Sequence, residues 1–273
     1  MPGSLTLVLP AYDEAERIGP ALDELFAYLD APPASAAGAI AAQASAGGAP
    51  AAPVPAGLPP LIDVLVVDDG SRDATAAIVA ARPEAARPAD AAARLHLLRV
   101  AHAGKGAAVR AGMLVATGDL VVFADADMAT PPSELPKLVA ALAKADVAVG
   151  SRIQPDGSDM RATQPGLRKL FGKLFHTLAA IWVAGPVEDT QCGFKGFTRG
   201  AARDLFSRQV VTSIVFDVEL IHLARRRGYR LAVVPIRWED RRGSRMHARP
   251  ALALRVAWDL FRIPLLHRSV PRA

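Results

Sequence analysis

Five short and almost wholly apolar runs punctuate the first 152 residues: LTLVLP (5–10), IDVLVVDD (62–69), LHLLRV (95–100), DLVVFADAD (119–127) and DVAVGSR (146–152). Longer amphipathic stretches separate them at 16–30, 73–82, 104–117 and 132–144. A strand that is apolar at every position is covered on both faces, and strands joined through helices of this length lie parallel to one another. The order therefore predicts an α/β fold with a Rossmann-like, doubly wound, mostly parallel sheet flanked by helices and with ligands at the carboxyl ends of the strands. Ser71 or Asp73 is expected to cap the second helix, and Pro132 beside Ser133 to open the fourth.

Beyond residue 152 the rhythm changes to a helix at about 165–183, a strand at 194–199, helices at 200–208 and 216–227, and a strand at 229–238. Residues 31–60 hold no charged side chain and consist largely of Ala, Pro and Gly. Such a stretch buries too little apolar surface to offset its ordering entropy and reads as a flexible surface loop. RPEAARPADAAAR (82–94) looks like a smaller loop of the same kind. The division expected is one domain over 1–246, interrupted at 31–60, followed by an amphipathic tail at 247–273.

Each early run delivers a polar cluster at its expected carboxyl end. These are Tyr12-Asp13-Glu14, Asp68-Asp69-Gly70-Ser71, Gly104-Lys105-Gly106, Asp125-Ala126-Asp127 and Ser151-Arg152. Five clusters on one edge would build one site. Alternate residues of an extended strand share a face, so Asp125 and Asp127 would repel each other unless a cation lay between them. Hard ions that favour oxygen, Mg²⁺ or Mn²⁺, suit such a pair. GKGAAVRAG (104–112) lacks both the Lys-Ser/Thr ending of a P-loop and the full Gly-x-Gly-x-x-Gly of a dinucleotide fold. What remains is a glycine loop opening a helix, where N–H groups and Lys105 can meet a phosphate.

In this order, LVLPAYDEAERI, VLVVDDGSRDAT, GKGAAVRAG, FADADMATPP and VGSR resemble the inverting glycosyltransferases of family 2. DTQCGFKGF (189–197) and WEDRRGSRM (238–246) narrow the resemblance to the dolichyl-phosphate β-glucosyltransferase and mannosyltransferase branch, over roughly residues 5–246 without the insertion. The resemblance implies a GT-A type fold, a nucleotide-sugar donor and a polyprenyl-phosphate acceptor. It implies that Pro10, Tyr12, Glu14 and Asp69 line the nucleoside pocket and that Asp125 and Asp127 bind the metal bridging the donor diphosphate. Lys105, Arg152, Arg242, Ser244 and Arg245 would serve phosphate groups, and Asp189 is a candidate base or acceptor-positioning group. Two departures stand out. Asp13 replaces the family's usual Asn, and Ala129 stands where some mannosyl-transferring members carry Gln, which leans the donor toward UDP-glucose over GDP-mannose.

The net charge of +5 conceals a division: residues 1–150 carry 10 Lys and Arg against 17 Asp and Glu, whereas residues 151–273 carry 22 against 10. A basic half suits phosphate-bearing partners or an anionic membrane surface. Nucleic acid is not expected, because aromatics interleave poorly with the charges of ARRRGYR (224–230) and no helix-turn-helix or zinc spacing occurs. Cys192 is the single cysteine, so no intrachain disulfide can form and a reducing compartment is expected.

The first residues lack a basic segment followed by a cleavable apolar one, so no signal peptide is expected. LFHTLAAIWVAGPV (174–187) is too short to span a bilayer, and Arg255, Asp259 and Arg262 interrupt 250–266. RKLFGKLFHTLAAIWV (168–183) and PALALRVAWDLFRIP (250–264) instead read as amphipathic helices for peripheral contact at the cytoplasmic face of a membrane, with Leu254, Trp258 and Phe261 on one face and Pro264 ending the second. The expected activity is inverting, metal-dependent transfer of a hexose, glucose from UDP-glucose, onto a polyprenyl phosphate. The same chemistry with GDP-mannose is one alternative. A metal-dependent nucleotidyltransferase and a non-catalytic nucleotide-sugar binder are the alternatives from other classes.

Overall fold

The computed structural model describes residues 2–31, 54–160, 187, 189–241 and 250–272, with 250–255 by backbone alone. Seven strands form one sheet: β1 Ser4–Ala11, β2 Leu61–Asp68, β3 Ala93–Arg99, β4 Leu120–Phe123, β5 Val147–Ser151, β6 Lys195–Thr198 and β7 Leu231–Pro235. Their order is β3-β2-β1-β4-β6-β5-β7. β1 pairs in parallel with β2 and β4, β2 with β3, and β5 with β7. β6 alone among these strands runs antiparallel, to both β4 and β5. The carboxyl ends of β1 to β5 therefore share one edge. Chain order reverses at β1, flanked by β2 and β4, and it is at such a reversal that open α/β sheets take their ligands, in a crevice at the carboxyl ends of the strands.

Alternation along β1 explains the two layers. Leu5, Leu7 and Leu9 enter one core with α1 (Ile18–Leu29), α2 (Thr75–Ala80) and α4 (Leu135–Leu142). Val8 enters the other with α3 (Lys105–Val115), α5 (Arg199–Arg208), α6 (Phe216–Arg226) and α7 (Pro250–Leu266). The three leucines are 0–1% exposed. Truncating any one to Ala would cost about 2–5 kcal/mol, because the cavity adds to the lost transfer energy.

Four local expectations give way. The strand expected over 119–127 stops at Phe123, because Met128 adopts φ 52 and donates its N–H to the Asp125 carbonyl at 3.2 Å. Asp125 and Asp127 thus lie in a turn beyond the strand and not on one face of it. Residues 82–94 are not a loose loop: Arg82 pairs with Asp23 and Glu84, and Arg87 pairs with Asp30 and lies over the Phe26 ring. Of the 31–60 insertion, residues 32–53 lie outside the described residues, while Val54 and Leu58 pack against the core.

The fourth concerns α7, which runs through Pro264 to Leu266. Buried Ile263 and His267 hold the chain in place on either side of the proline. Asp259, one of the three charges that interrupt 250–266, is 3% exposed and accepts from the Ser213 hydroxyl at 2.6 Å. The expected helix at 165–183 lies outside the described residues. No helix among the described residues is long and apolar enough to cross a membrane.

Candidate active site

The loops after β1 and β2 are braced against each other. Asp13 N donates to Ser71 Oγ at 2.9 Å, Arg72 N to Asp13 Oδ1 at 2.8 Å, Glu14 N to Thr75 Oγ1 at 2.7 Å and Ala15 N to Asp73 Oδ2 at 3.0 Å. Ser71 and Asp73 thus join two loops. Neither takes the cap position of α2, which falls to Ala74, although Asp73 Oδ1 also accepts from Thr75 N. Asp13 has φ 51, a left-handed conformation that Asn and Asp tolerate better than other side chains. A short carboxylate therefore fits a position where the resemblance leads one to expect Asn.

Beside this brace, Tyr12 stacks on His102 with ring centroids 4.2 Å apart. Asp69, 2% exposed, accepts from Ala103 N at 2.9 Å and Gly104 N at 3.0 Å, one bond to each carboxylate oxygen. Its carboxylate shapes the loop that leads into Lys105. Glu14 pairs with Arg17, whose guanidinium also lies 3.9 Å from Asp127 Oδ2. Pro10 lies within β1, opposite Val67.

Across the crevice, the Lys105 ammonium lies 2.6 Å from Asp125 Oδ1. Burial would lower the Lys105 pKa, but the charges of Asp125 and Asp217 hold it above the usual lysine value. Burial, then the charge of Asp125, raises the Asp127 carboxyl above its ordinary value, against the N–H of Ala129 and the charges of Arg17 and Lys105. Asp125 is thus paired with Lys105, while Asp127 has only the more distant Arg17 to offset its charge. Both stay accessible, with side chains 37% and 27% exposed. Among the described residues, no group of three or more His, Cys, Asp or Glu is placed to hold a metal ion.

Arg152, immediately after β5, grips Asp189 through Nε to Oδ2 at 2.7 Å and Nη2 to Oδ1 at 2.6 Å, while its backbone N donates to Oδ2 at 2.9 Å. The guanidinium also lies over Trp238, 5.5 Å from the ring centroid. Asp189 raises the Arg152 pKa despite burial. Cys192 is buried, its thiol pushed up to about 12 by burial and by Asp189. The structure thus brings Tyr12, Glu14, Asp69, Lys105, Asp125, Asp127, Arg152 and Asp189 to one edge. Arg242, Ser244 and Arg245 lie outside the described residues.

Three participants escape the sequence reading. Gly193 abuts Asp125, Arg17 links Glu14 to Asp127, and Lys195, wholly buried, contacts Asp217 Oδ1 at 2.5 Å and the Cys192 carbonyl at 2.6 Å. The available signal for the last was a lysine inside FKGF, charged in an otherwise apolar strand. Burial raises the Asp217 carboxyl, and Lys195 and Lys105 oppose that rise.

Comparison with known proteins agrees with this architecture. The model of the family described as Glycosyl transferase family 2 matches residues 6–206. A dolichyl-phosphate beta-glucosyltransferase of Trichomonas vaginalis is 36% identical over 97% of this chain and 72% of its own length. The Drosophila melanogaster protein of that name is 36% identical over 89% of this chain and 69% of its own. Among solved structures, glucosyl-3-phosphoglycerate synthase from Mycobacterium tuberculosis, in complex with Mn²⁺, UDP-glucose and phosphoglyceric acid, superposes with a TM-score of 0.60 at 17% identity, covering 99% of this chain and 81% of that one. That likeness concerns the fold, which is of the GT-A type. With the match spanning the sheet from β1 through β6 and into α5, the chain belongs to glycosyl transferase family 2.

Proposed function

We propose that this chain moves glucose from UDP-glucose, with inversion, onto the phosphate of a dolichyl-type polyprenyl phosphate at the cytoplasmic face of a membrane. The observation that carries the reading is the aspartate pair just beyond β4, beside β1 at the sheet's switch point, with Lys105 in contact with Asp125. The relatives' names support the choice of sugar and acceptor. In this reading residues 1–246 are the catalytic unit. Residues 247–273 are an appended segment fastened by buried Leu260 and Ile263.

Asp125 and Asp127 would hold Mg²⁺ or Mn²⁺. Two accessible hard-oxygen ligands suit an ion that keeps waters and takes the rest of its shell from substrate phosphates, and the raised Asp127 carboxyl marks a place where positive charge is favoured. When bound, such an ion supplies Lewis-acid stabilisation of the departing diphosphate.

The protein's own cations act on the same charge. Arg152 is anchored by Asp189 before the reaction, so it stabilises the nucleoside diphosphate as it gains charge without reorganising, and Lys105 acts on the same charge once the donor is bound. Arg242, Ser244 and Arg245 are assigned the same duty. Tyr12 with His102, Pro10 and Glu14 form the nucleoside wall, and Asp69 acts on it by fixing the 103–104 backbone. A lipid phosphate has a second pKa near 6 and is mostly ionised at neutral pH, so its oxygen attacks without a dedicated base. We assign Asp189 to holding the Arg152 guanidinium, because both its oxygens accept hydrogen bonds from Arg152.

Membrane contact is assigned to the outer face of α7, where Trp258, Phe261 and Leu265 are 61%, 50% and 54% exposed. The decisive assay incubates purified protein and Mg²⁺ or Mn²⁺ with labelled UDP-glucose or GDP-mannose, with and without polyprenyl phosphate. Label entering the organic phase from UDP-glucose, with release of UDP, is expected. Label from GDP-mannose alone would replace the sugar, and pyrophosphate release from a nucleoside triphosphate would replace the reaction class.

A further inference from the structure

The contact between Lys105 and Asp125 has a consequence for how the donor enters. Both side chains have immobile roots. The Gly104 N–H is bound by Asp69 Oδ2 and the Gly106 N–H by the Thr212 carbonyl at 3.0 Å, so the backbone on either side of Lys105 is clamped. A Cβ at Gly106 would lie 2.9 Å from that carbonyl oxygen and from Phe216 Cβ, which leaves no slack there. On the other side, the Asp125 carboxylate rests on Gly193, where a Cβ would come within 2.3–2.5 Å of all three of its atoms. Asp125 is backed on one side by Gly193, and the more mobile partner is the four-carbon stem of Lys105.

A second carboxylate also acts on the Lys105 ammonium. Lys105 feels the charge of Asp217 second only to that of Asp125, and Asp217 lies deeper, against the buried Lys195. Counting formal charges, Asp125, Asp127 and Asp217 against Lys105 and Lys195 leave a single net negative charge. A divalent ion added without moving Lys105 would meet an ammonium already in contact with Asp125.

We propose that Lys105 occupies the cation position on Asp125 in the donor-free protein and yields it when metal and nucleotide diphosphate arrive together, swinging to the diphosphate. This rests on the assignment of Asp125 and Asp127 as metal ligands. It adds that the lysine makes metal and nucleotide bind cooperatively: the ion alone must displace an ammonium, whereas the diphosphate offers that ammonium a new partner.

The test is Mn²⁺ binding to the full chain, read from the electron paramagnetic resonance of free Mn²⁺, with and without UDP. Wild type, Lys105→Met, Lys105→Gln and Lys105→Arg are compared, with melting curves to show that each variant folds. Loss of one cation in contact with a metal ligand is expected to tighten donor-free Mn²⁺ binding about tenfold in the Met and Gln variants. Arg should leave it close to wild type. UDP should strengthen Mn²⁺ binding severalfold more in wild type than in Met or Gln, and Mn²⁺ alone should raise the melting temperature more in Met and Gln. Equal or weaker donor-free Mn²⁺ binding in Met and Gln, with wild type binding normally beside UDP, overturns the displacement. Failure of wild type to bind Mn²⁺ even beside UDP removes the metal assignment itself.

Discussion

Gly193 lies directly against the carboxylate of Asp125, and a methyl group there would overlap all three carboxylate atoms at 2.3–2.5 Å. The turn after Cys192 therefore sets the aim of an acidic group almost seventy residues earlier in the chain. Gly193→Ala is expected to rotate Asp125 out of place and lower transfer about 100-fold, the scale of an ångström's misplacement in a reacting site. The fold should survive, since such overpacking costs about 1–3 kcal/mol. Steady-state kinetics beside a melting curve measures both, and activity within a factor of three of wild type would break the link.

Asp127 should show the cost of a charged site in the resting protein. Its raised carboxyl means that ionising it is harder in the fold than in the unfolded chain. The linked stability is fully present below the unfolded pKa and is lost as pH rises through the higher folded one. Asp127→Asn keeps an oxygen for the Ala129 N–H and removes the repulsion from Asp125. At neutral pH without metal the variant is expected to melt about 1–3 °C higher while losing transfer, as charge relief at functional sites commonly gives. A lower melting point would mean that Arg17, 3.9 Å away, outweighs Asp125.

Asp189 and Arg152 separate a positioning role from proton transfer. Asp189→Asn leaves one amide group facing three donors of Arg152, so kcat/KM should fall about 10–100-fold, with part of the loss in KM for the donor. The acidic limb of the kcat pH profile should persist. Its disappearance would assign Asp189 the proton. Arg152→Lys should resemble Asp189→Asn, because lysine cannot reproduce a two-point contact.

Much of this arrangement is legible in the residues alone. The five early strands are apolar at nearly every position because both faces are covered, and that pattern needs no partner to be read. The polar clusters follow from chain direction. What escapes depends on distant groups. Antiparallel β6 between β4 and β5 is a matter of pairing, and nothing local to KGFT encodes it. The order of residues 82–94 comes from Asp23 and Asp30, more than fifty residues earlier. The turn that places Asp125 and Asp127 uses a left-handed methionine, a conformation that side chain rarely advertises. Lys195 and Asp217 reveal each other only in three dimensions.

Glu134 gives a pH prediction outside the site. Burial would raise its carboxyl, but hydrogen bonds from Lys137 at 2.6 Å and Arg237 at 2.9 Å hold it below the usual value. A carboxyl lowered by folding contributes stability above its unfolded pKa, near about 4.3, and that contribution is lost as pH falls through the lower folded value. Glu134→Gln should cost about 1–3 kcal/mol at neutral pH. The gap in melting temperature between wild type and variant should hold from pH 7 to about 5 and close below about 4. A gap that widens on acidification would reverse the assignment.

The outer face of α7 bears on where the enzyme works. Its inner face is fixed by Leu260, Ile263, the bond from Ser213 to Asp259 and the pairing of His267 with Glu219 at 2.7 Å. That leaves Trp258 and Phe261 stacked on the outside at 6.1 Å, followed by Leu265, with Arg268 and Arg272 exposed nearby in sequence. Aromatics beside arginines match the apolar and anionic layers of a lipid surface. Vesicles containing anionic lipid should sediment the wild-type protein, and Trp258→Ser with Phe261→Ser should weaken that binding about tenfold or more. Transfer to a short, water-soluble prenyl phosphate should stay unchanged, since that acceptor reaches the site without a membrane. Equal sedimentation of both proteins would move the membrane contact elsewhere, whereas equal loss of activity on soluble and vesicle-bound acceptor would make the two rings structural.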